Sequence, residues 1–185
     1  MRQIAIVGLA ESTHDDAPYG NPSWELWGLT LDKEKDFYFD RAFQIHPLSF
    51  IRSLGKRYHD EDYLRELDIP LYMQEAYPDI PNSMAYPLDD VIEQTGDYFN
   101  SSIAYMLGLA ILEKVDRIGI WGVDMDGDSE FGYQRPNTEY LIGFARGRGI
   151  DVFVPEESSL LTFGVDGGGI HTKNWNGRYG YFAVE

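Results

Sequence analysis

The chain has 185 residues, no cysteine, and 31 acids against 15 Lys and Arg, for a formal net charge of −16. That length can bury a sizeable core. The charge opposes nonspecific binding to duplex nucleic acid or an anionic membrane surface, and no apolar run approaches the roughly 20 residues of a membrane span.

The opening Met1-Arg2-Gln3-Ile4-Ala5-Ile6-Val7-Gly8 lacks the long apolar region of a signal peptide and reads as a first strand. With the missing cysteines, which exclude disulfides and thiolate zinc sites, this fits a reducing cytosol, so the expected location is cytoplasmic. A loop rich in Ser, Thr, Asp, Pro and Gly follows over residues 9–22, and residues 23–30 read as a short second strand. Residues 37–46 read as a third strand, closed by Pro47. Residues 49–67 are amphipathic, with Phe50, Leu54, Tyr58 and Leu64 near one face, which predicts one helix. Residues 70–74 and 83–88 predict strands, and residues 89–95 a helical turn. Residues 100–114 then predict a helix, 117–123 a strand, 137–148 a helix and 151–154 a strand. From Gly164 onward the texture changes to Gly, Asn and aromatic residues, including Gly167-Gly168-Gly169 and Asn176-Gly177, which predicts a hairpin or arm.

Parallel neighbours need crossover connections, so alternating strands and helices imply a mostly parallel sheet with helices on both faces. The expected architecture is a three-layer, Rossmann-like α/β fold. Residues 1–163 form one domain, and residues 164–185 are a C-terminal arm or hairpin of it. No internal repeat is visible.

Four constellations and one histidine carry candidate chemistry. In the loop Gly8-Leu9-Ala10-Glu11-Ser12-Thr13, a glycine and the hydroxyls of Ser12 and Thr13 let backbone N–H groups approach a phosphate. With one glycine and no lysine it is neither G-x-G-x-x-G nor a P-loop, and an ordinary turn is the bland alternative. Asn100-Ser101-Ser102 supplies an N-cap and free N–H groups at a helix start. Capping explains one of these residues, while the helix dipole makes Ser101 and Ser102 candidates for holding an anion.

The third constellation is Asp124-Met125-Asp126-Gly127-Asp128-Ser129-Glu130, placed just beyond a strand. Ligands in open α/β sheets sit beyond the carboxyl ends of strands, so Asp124 is expected to touch a ligand. Two overlapping D-x-D patterns offer hard oxygen atoms that suit Mg²⁺ or Mn²⁺ at Asp124 and Asp126. Solvated acids are equally expected of so acidic a chain, and no cofactor is firmly implied. The fourth is Tyr133-Gln134-Arg135-Pro136-Asn137, where the fork of Arg135 suits phosphate or neutralises Asp126 or Glu130. His46 closes a strand, and an imidazole there serves as a general base without tuning, unless it is structural. His14 and His171 fall in flexible-looking segments and His59 in a charged helix, so they rank lower.

The central segments also carry a resemblance. Asn100-Ser101-Ser102-Ile103-Ala104-Tyr105-Met106, Ile118-Gly119-Ile120-Trp121-Gly122-Val123-Asp124 and Asp151-Val152-Phe153-Val154-Pro155-Glu156-Glu157-Ser158-Ser159-Leu160-Leu161 resemble the core of bacterial lipooligosaccharide sialyltransferases. Those enzymes have a helix with "SGVYM", a strand ending "SGID" and a late strand ending "PNSLL". Val7-Gly8-Leu9-Ala10-Glu11-Ser12 sits where they have a "GNGPS" nucleotide loop. The likeness covers about half the chain and also extends to small bacteriophage proteins with "WEIWGLN", "IHP" and "QRPNxEYLIGxARGRGI" phrases. It implies a nucleotide or nucleotide-sugar ligand, with Asp124 matching the aspartate, Tyr133 matching one phosphate-contacting tyrosine, and Ser158 and Ser159 in the late binding segment. No histidine between Asp126 and Asp151 matches that family's base.

The expected function is therefore that of a glycosyltransferase-like protein, bacteriophage-encoded and acting in the host cytoplasm, using a nucleotide-linked donor. Gly8, Ser12 and Ser101 hold phosphate, Asp124 and Ser159 hold ribose or base, and His46 deprotonates the acceptor. Two alternatives stay open: a nucleotide-binding protein that sequesters a signal without turnover, and a nucleotide N-glycosidase. Homo-oligomerisation is left open.

Overall fold

The computed structural model describes residues 1–30, 38–54, 61–126 and 130–162. Strands β1 (Gln3–Val7), β2 (Trp24–Leu29), β3 (Arg41–Phe43), β4 (Leu71–Met73), β5 (Ser83–Ala85), β6 (Arg117–Trp121) and β7 (Asp151–Phe153) form one sheet in the order β5-β4-β3-β2-β1-β6-β7. Every neighbouring pair is parallel. Helices α1 (Leu48–Leu54), α2 (Glu61–Glu66), α3 (Leu88–Thr95), α4 (Ser102–Leu112) and α5 (Phe131–Gly147) flank it.

A parallel sheet covered on both faces needs strands that are apolar on both sides, and Ile4-Ala5-Ile6-Val7 meets that need. Ile4 and Ile6 face a core shared with Trp27, Phe43, Tyr72 and the buried residues of α3, α4 and α5. Ala5 and Val7 face the other way, with Leu26 and Trp121, against Ala17, Tyr19 and Trp24. Farther along that second face, Leu48, Ile51 and Leu64 of α1 and α2 cover Ala42, Leu71 and Met73. The second layer is thus half helical and half loop.

The chain steps from β1 to β5 in one direction, then returns to place β6 on the other side of β1. Right-handed crossovers require such a reversal to move the connecting helices to the opposite face. That is why α3, α4 and α5 lie across the sheet from α1 and α2. The reversal leaves a topological switch point between β1 and β6, where ligand crevices form in such sheets.

Several sequence expectations are corrected in detail. Of the helix expected over 49–67, the described residues show two helical segments, α1 and α2, and residues 55–60 between them lie outside the described ones. The third strand is only Arg41–Phe43, because its ladder ends with the Gln44 N–H donating to the Tyr72 carbonyl at 2.9 Å. The β6 strand stops at Trp121 because Gly122 turns into the left-handed region at φ 63°. Helix α5 begins at Phe131 rather than at 137, with Pro136 inside it. Proline removes the N–H that would bond the carbonyl four residues back. That carbonyl belongs to Gly132, which is exposed in the first turn and open to solvent. Tyr133, Gln134 and Arg135 therefore ride on a helix. The C-terminal arm, together with Asp128, His59 and His171, lies outside the described residues.

Candidate functional site

At the switch point two strand ends cross in close contact. The Gly8 N–H donates to the Trp121 carbonyl and the Ala10 N–H to the Gly122 carbonyl, each at 2.8 Å. A Cβ added at Gly8 would lie 2.3 Å from the Gly122 oxygen, and one added at Gly122 would lie 2.6 Å from the Gly8 oxygen. Only glycine fits at either place. Thr13 and His14, 1% and 2% exposed, lock this crossing from beneath. The Thr13 hydroxyl accepts from the Gly122 N–H at 2.8 Å, and the His14 Nδ1 lies 2.7 Å from the Gly8 carbonyl oxygen it bonds. Thr13 thus shapes the floor of the site rather than its wall, and His14 is buried there rather than sitting in a flexible segment. Thr13 is held by a long-range bond, and His14 by local bonds to Gly8 and Tyr19, that the polar texture of residues 9–22 gives no hint of.

Above the crossing opens a crevice of about 550 Å³, lined by Gly8, Leu9 and Ala10, by Leu29 and His46 at the ends of β2 and β3, by residues 100–103, and by Asp124, Asp126 and Phe131 among others. The first turn of α4 points into it. Ser101 is extended and its hydroxyl accepts from the Ala104 N–H at 3.1 Å, so that side chain is the cap. The N–H groups of Ser102 and Ile103 have no intrahelical acceptor by construction and stand at the positive end of the helix dipole. The segment leading into α4 is braced from α5. The Asn100 N–H donates to the Asn137 Oδ1 at 3.3 Å, and the Asn100 side-chain amide donates to the Tyr133 carbonyl at 2.7 Å.

Asp124 stands where the crossing, the crevice and the late loop meet. Its Oδ1 accepts from the Ser12 hydroxyl at 2.9 Å and from the Ser159 N–H at 3.4 Å, and its carbonyl accepts from the Ser159 hydroxyl at 2.8 Å. Met125 follows in the left-handed conformation at φ 57°. For a residue with a Cβ that costs about 1–2 kcal/mol, and strain of this kind gathers at binding sites. It turns the backbone so that Asp124, Met125 and Asp126 all border the crevice.

The structure therefore brings Gly8, Ser101, Ser102, Asp124, Asp126 and His46 to one crevice, with Ser12 bonded to Asp124 at its rim. Ser158 and Ser159 stand behind it. The Ser158 hydroxyl, 2% exposed, donates to the Val123 carbonyl at 2.7 Å. Tyr133 is 60% exposed on α5 and is not among the lining residues. Arg135 is engaged by the protein itself. Its Nε donates to Glu139 at 2.9 Å, its Nη2 to the carbonyls of Ser159 and Thr162, and its Nη1 to Asp126 at 3.4 Å. This is the neutralising role, extended to tying the late loop onto α5. Among the described residues no group of three or more His, Asp or Glu side chains is placed to hold a metal, and Asp126 faces a guanidinium instead.

His46 is half-buried against Phe50, the two rings stacked with centroids 5.3 Å apart. Burial pushes its pKa below the ordinary histidine value, an effect the nearby Glu130 carboxylate only partly offsets. The described residues lining the crevice include Asp124, Asp126 and Glu130 but no Lys or Arg. Among the described residues, the groups that face an anion there are N–H dipoles. Leu29 and Phe131 line the crevice without having been singled out in the sequence, and Glu130 and Gln134, named there within two constellations but given no ligand contact, line it as well. Leu29 was legible as the last residue of a strand, but the other three depend on where α5 begins.

Fold and crevice together define a parallel α/β protein with a ligand-sized cleft at its switch point. Among solved structures the fold is similar to the sialyltransferase CstII from Campylobacter jejuni. In complex with the substrate analogue CMP-3FNeuAc, that enzyme matches with a TM-score of 0.56 and 13% identity over 83% of this chain and 80% of the other. Its complex with cytidine-5'-monophosphate gives a TM-score of 0.54 and 12% identity, covering 83% and 79%. The complex of the sialyltransferase CST-II with a trisaccharide acceptor and CMP gives 0.52 and 13%, covering 83% and 80%. The chain thus has a sialyltransferase-like fold at distant sequence identity. No protein-family model matches it, and no curated protein matches it by sequence.

Proposed function

We propose that this protein binds a nucleotide-linked sugar in the switch-point crevice and transfers the sugar to an acceptor. The observation that carries the reading is the meeting of three features at one place: the Gly8–Gly122 crossing, the open first turn of α4, and Asp124. The N–H groups at Gly8, Ser102 and Ile103 hold the donor phosphate. Asp124, oriented by Ser12 and Ser159, accepts from a ribose hydroxyl or a base edge. His46 takes the proton from an acceptor hydroxyl. The acceptor oxygen then bonds the anomeric carbon, and the bond from that carbon to the nucleotide phosphate breaks. Asp126 flanks the donor, while Arg135, Thr13 and Ser158 support the walls, and Tyr133 stands at the outer rim of α5. The phrases shared with bacteriophage proteins support a phage origin and action inside the host cell.

One observation favours a second reading, binding without turnover. The described lining residues include no Lys or Arg, so none of them supplies a cation to neutralise a departing phosphate. One experiment separates the two. The purified protein is incubated with a panel of nucleoside monophosphates and nucleotide sugars at millimolar concentration, and both thermal shift and product are read. Stabilisation by linkage is expected for the bound class, with free nucleotide released where an acceptor sugar is present. Stabilisation without release selects the sequestering reading. No stabilisation by any member removes both.

A further inference from the structure

The side chains behind His46 contain a chain of hydrogen bonds that the transfer reaction does not itself require. Gln44 is 3% exposed and Thr30 is 4% exposed, both beneath the crevice wall. The Gln44 Nε2 donates to the Thr30 hydroxyl at 2.9 Å, while its Oε1 lies 3.3 Å from the His46 backbone nitrogen and 2.7 Å from the His46 Nδ1. A backbone N–H can only donate, so the amide atom facing it has to be the oxygen. The opposite orientation of Gln44 would set a donor against a donor. The same oxygen faces Nδ1, and an acceptor there requires a proton on that ring nitrogen. A neutral imidazole protonated at Nδ1 presents Nε2 as an acceptor. Stacking on Phe50 fixes the ring plane, and His46 lines the crevice.

We infer that Gln44, backed by Thr30, is a positioning residue that holds His46 as the Nδ1–H tautomer, so that Nε2 takes protons from whatever enters the crevice. This deepens the base role given to His46 above and rests on that reading for its purpose, but not for its truth as a statement about the ring. In water the Nε2–H form of a histidine side chain is the commoner one, so the neighbours impose the choice. Burial adds to it by keeping the ring neutral near pH 7. An amide does this without the charge a carboxylate would bring.

The test is read on the protein without any nucleotide, so it stands apart from the binding experiment. Long-range ¹H–¹⁵N correlation spectra of uniformly labelled protein near pH 7.5 report each ring nitrogen of His46 as pyrrole-like or pyridine-like. Nδ1 is expected to be pyrrole-like and Nε2 pyridine-like. Gln44→Met keeps the length and removes the acceptor, and is expected to move the population toward the Nε2–H form. Gln44→Glu restores an acceptor and is expected to restore the Nδ1–H form. Thr30→Val leaves Gln44 in place with one partner fewer and is expected to give a smaller shift in the same direction as Gln44→Met. A native His46 in the Nε2–H form overturns the inference whether or not any variant folds, as does a Gln44→Met spectrum unchanged from native.

Discussion

At the amino ends of the strands, Arg2, Glu25, Arg41 and Glu113 close on one another, whereas at the carboxyl ends Asp124 meets only hydroxyl and amide donors. Arg41 reaches Glu25 at 2.6 Å and Glu113 at 2.7 Å, and Arg2 reaches the same two acids at 2.9 and 2.6 Å. Trp27 adds an indole N–H to Glu25 at 3.0 Å, and the Arg41 guanidinium lies 4.9 Å from the Trp27 ring centroid. Two cations and two anions, all partly buried, satisfy each other and leave nothing for a ligand to claim. At the other end the partners of Asp124 are small and neutral, the backbone is strained at Met125, and space remains above. One end holds the sheet together, and the other opens into a crevice of about 550 Å³.

The largest separation between the ends is expected from Arg41→Met. Glu25 and Glu113, with side chains only 24% and 22% exposed, would be left with Arg2 as their one cation among the described residues, and Glu25 with the Trp27 N–H besides. Removing one partner of a buried ion pair typically costs 3–5 kcal/mol. Because Arg2 still serves both acids here, a loss of about 2–4 kcal/mol in chemical denaturation is expected, with nucleotide affinity unchanged. Affinity lost in step with stability would show that the two ends are not independent.

Gly8→Ala should strike the opposite end. Its Cβ would lie 2.3 Å from the Gly122 backbone oxygen and 2.8 Å from the Val123 Cγ2, and the backbone cannot swing away as a side-chain tip can, so the crossing has to spread. Overpacking of this kind costs about 1–3 kcal/mol. Displaced N–H groups should weaken nucleotide binding as well, measured by calorimetry. Stability lost with affinity intact would remove Gly8 from the phosphate contact.

Asp124→Asn is a finer probe. The Oδ1 acceptor that Ser12 and the Ser159 N–H use is retained in the amide, so unfolding free energy should change by less than about 1 kcal/mol. Ligand affinity should fall by about 1–3 kcal/mol if a partner group is left unpaired. The reverse order, lost stability with binding kept, would make Asp124 a structural cap for its loop.

The smallest effect is a pH slope at the amino end. Burial alone would raise the Glu25 pKa, but hydrogen bonds from Trp27 and Arg2 and the charge of Arg41 outweigh it and hold the carboxyl below its ordinary range. Its contribution to stability is therefore fully present above the unfolded value of about 4.3 and lost as pH falls through the lower folded value. Glu25→Gln should flatten the fall of urea midpoint with pH in that acidic window. An unaltered slope would mean that other carboxylates carry it.

The parts legible in the sequence were those written in local pattern. The apolar runs Ile4–Val7 and Ile103–Ile111 announced a buried strand and a buried helix, and Asp124 stood one residue past a strand in plain view. What stayed hidden depends on chain segments that meet only after folding. Thr13 sits in a stretch as polar as any exposed loop, and only the return of β6 beside β1 gives its hydroxyl the Gly122 N–H to bond. Arg135 has the fork a phosphate wants, yet residues 159–162 come back to α5 and take it with their carbonyls. The helix expected from residue 137 begins six residues earlier, at Phe131, and takes Pro136 inside it. Gln44 carries no motif at all, and only the folded backbone brings its side-chain oxygen to 2.7 Å from the His46 Nδ1.

The central claim is that the carboxyl-end crevice, and not another surface, takes the nucleotide. Cytidine monophosphate titrated into ¹⁵N-labelled protein and followed by amide chemical shifts tests it most directly. Saturable shifts concentrated at Gly8, Ser101, Ser102 and Asp124, with Arg2, Glu25 and Arg41 unmoved, are expected. Shifts gathered at the amino end, or none at millimolar cytidine, uridine, adenosine or guanosine monophosphate, would contradict it.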